Sequence, residues 1–250
     1  IKWNIYLQKG DQSSVMANRK LHGIVVNYQD LSTESDEENY CNVLNRCRDR
    51  HYAKMKEKSK LENILKRNVN NWNNMLLITD CTGSMEPYGA ETVLGWLLKL
   101  KKNKIKQFSF FNDGDGMAQK DKKIGEVGGV HLVDEINNVQ DFINTIRITT
   151  ILGYGNADEP ENDAEAILTS INQTSGFEDV VLIADNNSSV RDKELFEEIM
   201  HPVHVILCGV DNDSIEIHKD YILLAYLTNG SIHTVNNDYL NIKSPNTLSK

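Results

Sequence analysis

No apolar run in this chain approaches the ~20 residues that a membrane-spanning helix needs, so the sequence offers no span. Nor is there an excess of positive charge. The formal net charge is -9, which argues against a general nucleic-acid binder, whose surface must offset phosphate. The histidines do not pair at the spacing of a helix-borne zinc motif: His201 and His204 flank a strand start, and His218 and His233 stand alone. The cysteines are few and badly placed for bridging. Cys41 and Cys47 lie in a helix-like stretch, where six residues set their Cα atoms ~9 Å apart along the axis, too far for a disulfide. Cys81 and Cys208 fit no metal-finger spacing, so all four read as free thiols. "GEVGG" (125–129) lacks the Lys-Ser/Thr that would make it a phosphate loop. "TGSME" is not a nucleophile elbow, and Ser84 has no evident histidine partner. No internal repeat is visible. The first residue is Ile1, not Met, which fits a mature form or an excised piece and leaves any targeting peptide out of view.

What is present is a long, regular alternation of strand-like and helix-like segments. The 250 residues suffice for one sizeable α/β domain with an appendage, or for two small domains. Residues 1–74 read as an N-terminal extension, with a strand at "LHGIVVNY" (21–28) and a helix over about 38–67. The helix follows acidic cap residues at 32–39 and carries Tyr40, Val43, Leu44, Leu61, Ile64 and Leu65 at helical spacing. The basic run "RCRDRHYAKMKEKSK" (46–60) reads as its solvated face rather than a docking site.

From residue 75 the pattern is stricter. "MLLITD" (75–80) is a buried strand, and Ala90, Val93, Leu94, Leu97 and Leu98 form an amphipathic helical stripe. "IKQFSFF" (105–111), "NDGDG" (112–116) and "GGVHLV" (128–133) read as strand, turn and strand. Ile136, Val139, Ile143 and Ile146 mark a helix, and Ala164, Ile167, Leu168 and Ile171 mark the next. "DVVLIAD" (179–185), a helical stretch at 192–200, "PVHVILCGV" (202–210), a helix over 214–228 closed by "NG" (229–230), and "SIHTV" (231–235) complete the series, before a polar tail at 241–250. The expectation is an α/β fold over 75–240: a doubly wound, mostly parallel, Rossmann-type sheet with helices on both faces.

In such a sheet, ligands bind at the carboxyl ends of the strands near the switch in strand order. Two apolar strands end in carboxylates there, Asp80 and Asp185, and Thr82 and Ser84 follow the first. The loop "GYGNADEPENDAEAI" (153–167) adds Asp158 and Glu159, with Asn156 and Asp163 near. Neighbouring carboxylates repel, so they raise a pKa or recruit a cation. Carboxylate, hydroxyl and water suit Mg²⁺, Mn²⁺ or Ca²⁺ far better than zinc. The bland reading is that Asp80, Ser84 and Asp185 only cap the helices that follow. Asp113 and Asp115 in "NDGDG" lack the rest of a calcium loop and read as a hairpin turn.

"DCTGSM" (80–85) resembles the D-x-S/T-x-S signature of the von Willebrand factor A (vWA) domain, the module that integrins carry as an inserted domain. The element order from 75 to about 240 resembles that family too. The resemblance implies a metal-ion-dependent adhesion site. Asp80, Thr82 and Ser84 would carry its first loop and Asp185 its strand-four aspartate. Asp158 would stand where the family commonly has Thr, in the manner of a subgroup with a Gly-rich stretch, Asp and Pro-Glu. It further implies Mg²⁺ or a similar ion, a protein partner that offers the metal a carboxylate, and no catalysis. With the non-Met start it tilts the location toward secreted or periplasmic. Two other readings stand beside it. A haloacid-dehalogenase-type phosphohydrolase would also set Asp80 at a strand end, but needs a second acid where Thr82 stands. A vWA-like scaffold with a degenerate, metal-free site is the third.

Overall fold

The computed structural model describes residues 2–7, 24–29, 60–68, 70–85, 105–133, 139–153 and 160–244. The chain divides into two compact units, Ile1–Lys60 and Leu61–Lys250. In the first, β1 (Lys2–Leu7) and β2 (Ile24–Gln29) form an antiparallel pair, from Lys2 opposite Gln29 to Leu7 opposite Ile24. β2 lies where a strand is expected at 21–28, and β1 is its unforeseen partner. Most of the helix expected over 38–67 and the whole stripe at Ala90–Leu98 lie outside the described residues. Of the former, α1 (Lys60–Asn68) is described.

The second unit is built on a seven-stranded sheet in the order β5-β4-β3-β6-β7-β8-β9. Its strands are β3 (Met75–Asp80), β4 (Ile105–Phe111), β5 (Val130–Val133), β6 (Val180–Asp185), β7 (Val203–Cys208), β8 (Ser231–His233) and β9 (Asp238–Leu240). The five inner strands are parallel, and β5 and β9 run antiparallel at the edges. This is a mixed, mostly parallel α/β sheet. β3 and β6 are buried at all six positions, which is why both read as unbroken apolar runs. Three helices accompany the sheet in the described part: α2 (Val139–Leu152), α3 (Asp163–Gln173) and α4 (Lys219–Leu227). Ala164 and Ile167 of α3 and Ile222 and Leu224 of α4 join Leu76, Ile78, Leu182 and Val205 in one buried cluster. Each fully buried aliphatic side chain is worth ~1.5–3 kcal/mol.

Local chemistry sets the boundaries that the hydrophobic pattern misplaces. The segment at 192–200 closes as a tighter 3₁₀ turn, Lys193–Glu198. α4 starts at Lys219 rather than 214 because polar side chains divert the preceding backbone. Asn212 Oδ1 accepts from Ser214 N at 3.0 Å, and His218 Nδ1 caps the helix, accepting from Asp220 N at 3.3 Å. The helix ends as "NG" suggests. Asn229 takes the left-handed conformation (φ 53°), and Gly230 N donates to Ala225 O at 2.8 Å, the bond of a Schellman stop. Position 230 must be glycine, because a Cβ there would collide with the Val203 carbonyl. This tight exit sets Ser231 beside His204, its partner in the β7–β8 ladder. Among the described residues no helix is long and apolar enough to cross a membrane.

Candidate functional site

The order of strands places the chain's reversal at β3 and β6: after β3 the sheet grows toward β4, then resumes on the other side with β6. Asp80 and Asp185 are the last residues of these two neighbouring parallel strands. Each is 2 % exposed, and each is used in the same way. Asp80 Oδ1 accepts from Thr82 N at 2.7 Å, and Asp185 Oδ1 accepts from Asn187 N at 2.7 Å. One oxygen thus staples the turn after each strand. The second oxygen, Oδ2 in both, is buried and has no hydrogen-bond partner. An unmet carboxylate oxygen away from water is costly, and here two occur side by side at one pole of the sheet. These turn bonds use half of each carboxylate, and neither aspartate stands at the N-cap of a described helix.

Thr82 and Ser84 follow in a 3₁₀ turn, Gly83–Met85, with Thr82 Oγ1 and Ser84 Oγ 3.2 Å apart. The strand end is anchored by Cys81 N, which donates to Phe111 O at 2.8 Å. Cys81 itself is buried with its thiol against the Thr79 carbonyl, and burial, then the charge of Asp80, pushes that thiol up. Asp158 lies outside the described residues, so the middle member of the expected ligand set has no position here.

Three further carboxylates belong to the same neighbourhood. Asp163 opens α3, is fully buried, and has neither oxygen hydrogen-bonded. Glu161 is held by its backbone, which pairs with the strand-like segment at Val190: Glu161 N donates to Ser189 O, and Arg191 N to Glu161 O. Asp113 follows the end of β4 and is buried against Glu161. Its neighbour Asn112 organises that loop, accepting from Gly114 N at 2.8 Å and donating to Thr149 O at 2.6 Å. So "NDGDG" is a turn, as expected, and also delivers an acid to the site, which the turn reading misses. The strand-end rule that singles out Asp80 and Asp185 applies equally to β4 and would have found Asp113.

The electrostatic consequence is large. Burial, then the charges of Asp185 and Asp113, pushes Asp80 up to about 8 against the hydrogen bonds from Thr82. Burial, followed by the charges of Asp80 and Asp113, pushes Glu161 up to about 12. Asp163 is raised by burial, then by Asp80, Asp192 and Asp185. Tyr221 of α4, also buried, is raised by burial and then by the same acids. The helix dipole of α3 favours negative charge at its start, but two of its first-turn N–H groups are already taken. Asp192 reaches across to accept from Ala164 N at 3.1 Å and Glu165 N at 2.6 Å.

The donors at the strand ends are all hard oxygens: two half-satisfied carboxylates and two hydroxyls. That set fits Mg²⁺, Mn²⁺ or Ca²⁺. Among the described residues no three His, Cys, Asp or Glu side chains already converge on a common cation position. No family model, no curated protein and no solved structure matches this chain.

Proposed function

We propose that residues 75–240 form a vWA-like module that binds a protein partner through a hard divalent cation. Asp80, Thr82, Ser84, Asp158 and Asp185 would hold the ion. The observation that carries this reading is the matched pair of strand-end aspartates, each with one oxygen fixed by a backbone N–H and the other buried and unmet. The "DCTGSM" signature at the first of them and the order of elements along the chain support a doubly wound, vWA-type arrangement. When bound, the ion would supply positive charge and an exchangeable coordination position. The chain's own part is to hold the oxygens rigidly, through the Thr82 and Asn187 turns, and to keep water from them. An aspartate or glutamate of a partner would take the exchangeable position.

One observation favours the metal-free scaffold instead, namely that the described acids do not yet form a three-carboxylate cluster. The proposed set needs only two of the described carboxylates, since two of its donors are hydroxyls and its third acid is Asp158. A pull-down from native extract, with Mg²⁺ and with chelator, separates the readings. Metal-dependent capture that Ser84→Ala weakens supports adhesion. A partner retained equally with chelator assigns recognition to another surface.

A further inference from the structure

The opposite pole of the sheet carries a second polar network that the proposed function does not use. It begins at Asp238 of β9. Asp238 Oδ2 accepts from Arg67 Nε at 2.6 Å, and its Oδ1 from Arg67 Nη2 at 2.8 Å and Asn68 Nδ2 at 2.9 Å. The same Oδ1 lies 2.7 Å from His233 Nδ1. His233 Nε2 is 2.6 Å from Ser231 Oγ, and Ser231 Oγ is 2.7 Å from His204 Nδ1. His204 Nε2 ends the chain 3.5 Å from Asp179 Oδ1, whose other oxygen accepts from Asn73 N at 2.7 Å. Trp72 packs on both rings, stacked on His204 with centroids 5.4 Å apart and edge-on to His233 at 5.0 Å.

The direction of every bond follows from the first. Burial pushes the Asp238 carboxyl up, but the hydrogen bonds from Arg67, His233 and Asn68 outweigh it, so Asp238 is ionised and only accepts. His233 Nδ1 must then donate, leaving Nε2 of the neutral ring as an acceptor. The Ser231 hydroxyl donates to it, and its oxygen accepts from His204 Nδ1. A Ser-His-Asp sequence of contacts is present, yet Ser231 is 3 % and His233 1 % exposed, so no substrate reaches the hydroxyl. A different consequence follows. One proton is tolerated: on the neutral ring His204 Nε2 and Asp179 Oδ1 are both acceptors, and a proton at Nε2 supplies the hydrogen between them while leaving the rest of the chain intact. A second, at His233 Nε2, is not. Ser231 Oγ would then accept from both rings, its own buried hydrogen would lose the His233 acceptor, and two cationic rings would stand with centroids 6.4 Å apart.

We propose that the chain from Asp179 through His204, Ser231 and His233 to Asp238 is an acid-operated latch, which holds α1 and Trp72 against β7, β8 and β9 and releases them when both rings are protonated. The charged and titratable groups facing the rings are Asp179 before β6, Asp238 on β9 and Arg67 on α1, together with each other. Burial lowers His204 against the pull of Asp179, and burial lowers His233 against Asp238, with His204 and Arg67 adding to the lowering. Both folded values lie below the ordinary ~6.5 of histidine. The folded state therefore binds fewer protons than the unfolded one. Its hold on α1 is full above that ordinary value and is lost as pH falls through the folded values.

Hydrogen exchange on the full chain tests this. Between about pH 7.5 and about pH 5, after correction for intrinsic chemistry, protection of amides in 61–68 should fall about tenfold relative to those of β6, since one proton taken up per unit of pH is worth a factor of ten. In the His204→Gln/His233→Gln double variant the fall should vanish. If that variant does not fold, proton NMR titration of the two rings in the unaltered chain decides, because loss of protection must follow the second ring to titrate. Equal protection of 61–68 at both pH values would overturn the latch. So would a loss that persists unchanged in the folded double variant, or one that tracks neither ring.

Discussion

Asp192→Ala removes a residue that touches no proposed ligand yet sets the start of α3, and with it Asp163 and the Glu161 segment. Asp192 is fully buried and bonds Ala164 N at 3.1 Å and Glu165 N at 2.6 Å. Two charge-assisted bonds are worth ~3–6 kcal/mol gross. Against this stands the cost of burying the charge, visible in a carboxyl that burial pushes up to about 6 despite those same bonds. A rise of that size costs about 3 kcal/mol in the ionised form. The net loss in the variant at pH 7 is then ~0–3 kcal/mol, at its upper end larger than a typical N-cap, and the thermal midpoint falls by roughly 2–4 °C per kcal/mol. The sign of the pH dependence is distinctive. Because the folded value lies above the unfolded one, the group's contribution is full below the ordinary aspartate value and is lost as pH rises through about 6. The gap between unaltered chain and variant should therefore widen as pH falls from 7 toward 4. Chemical unfolding at several pH values measures it. A gap that stays flat or narrows on acidification would refute the reasoning.

Other substitutions probe single features. Gly230→Ala forces a Cβ into the Val203 carbonyl, and unfolding should be easier by about 3 kcal/mol or more, since the neighbour is backbone and cannot rotate away. Asp238→Asn loses the ionised acceptor of Arg67 and His233. With both members of the ion pair partly exposed, the expected loss is about 2 kcal/mol by denaturant titration. It should be present above about pH 4 and absent well below it, because the Asp238 carboxyl is held under its ordinary value. Asp158→Ala should weaken metal binding more than Asp163→Ala in calorimetric titration, and the reverse order would move the middle ligand into α3.

Buried parallel strands were easy to read, because burial on both faces leaves no polar position to interrupt the apolar run. Met75–Asp80 matches its apolar segment residue for residue, and Val180–Asp185 fills all but the first position of its own. Edge strands were not. β9 alternates exposed, half-buried and exposed over Asp238–Leu240, a pattern that a loop shares. The late start of α4 depends on Asn212 and His218 side chains bonding backbone, which periodicity does not register. At the site, Asp80 and Asp185 were legible because a carboxylate ending an apolar run is conspicuous. Asp113 was hidden by the turn chemistry around it, and Glu161 by its place just before α3, where it joins Val190 through an isolated bridge rather than a strand. Asp158 rests on resemblance alone.

The central claim, that the twin aspartates and the two hydroxyls bind a cation, is tested most directly by thermal unfolding of the full chain with and without metal. If Mg²⁺ binds with a dissociation constant near ~0.1 mM, about 1 mM metal stabilises the folded state by ~1.4 kcal/mol. The midpoint should then rise by roughly 3–6 °C, and Asp80→Ala should abolish the rise. An unchanged midpoint in Mg²⁺, Mn²⁺ and Ca²⁺ alike would contradict the account.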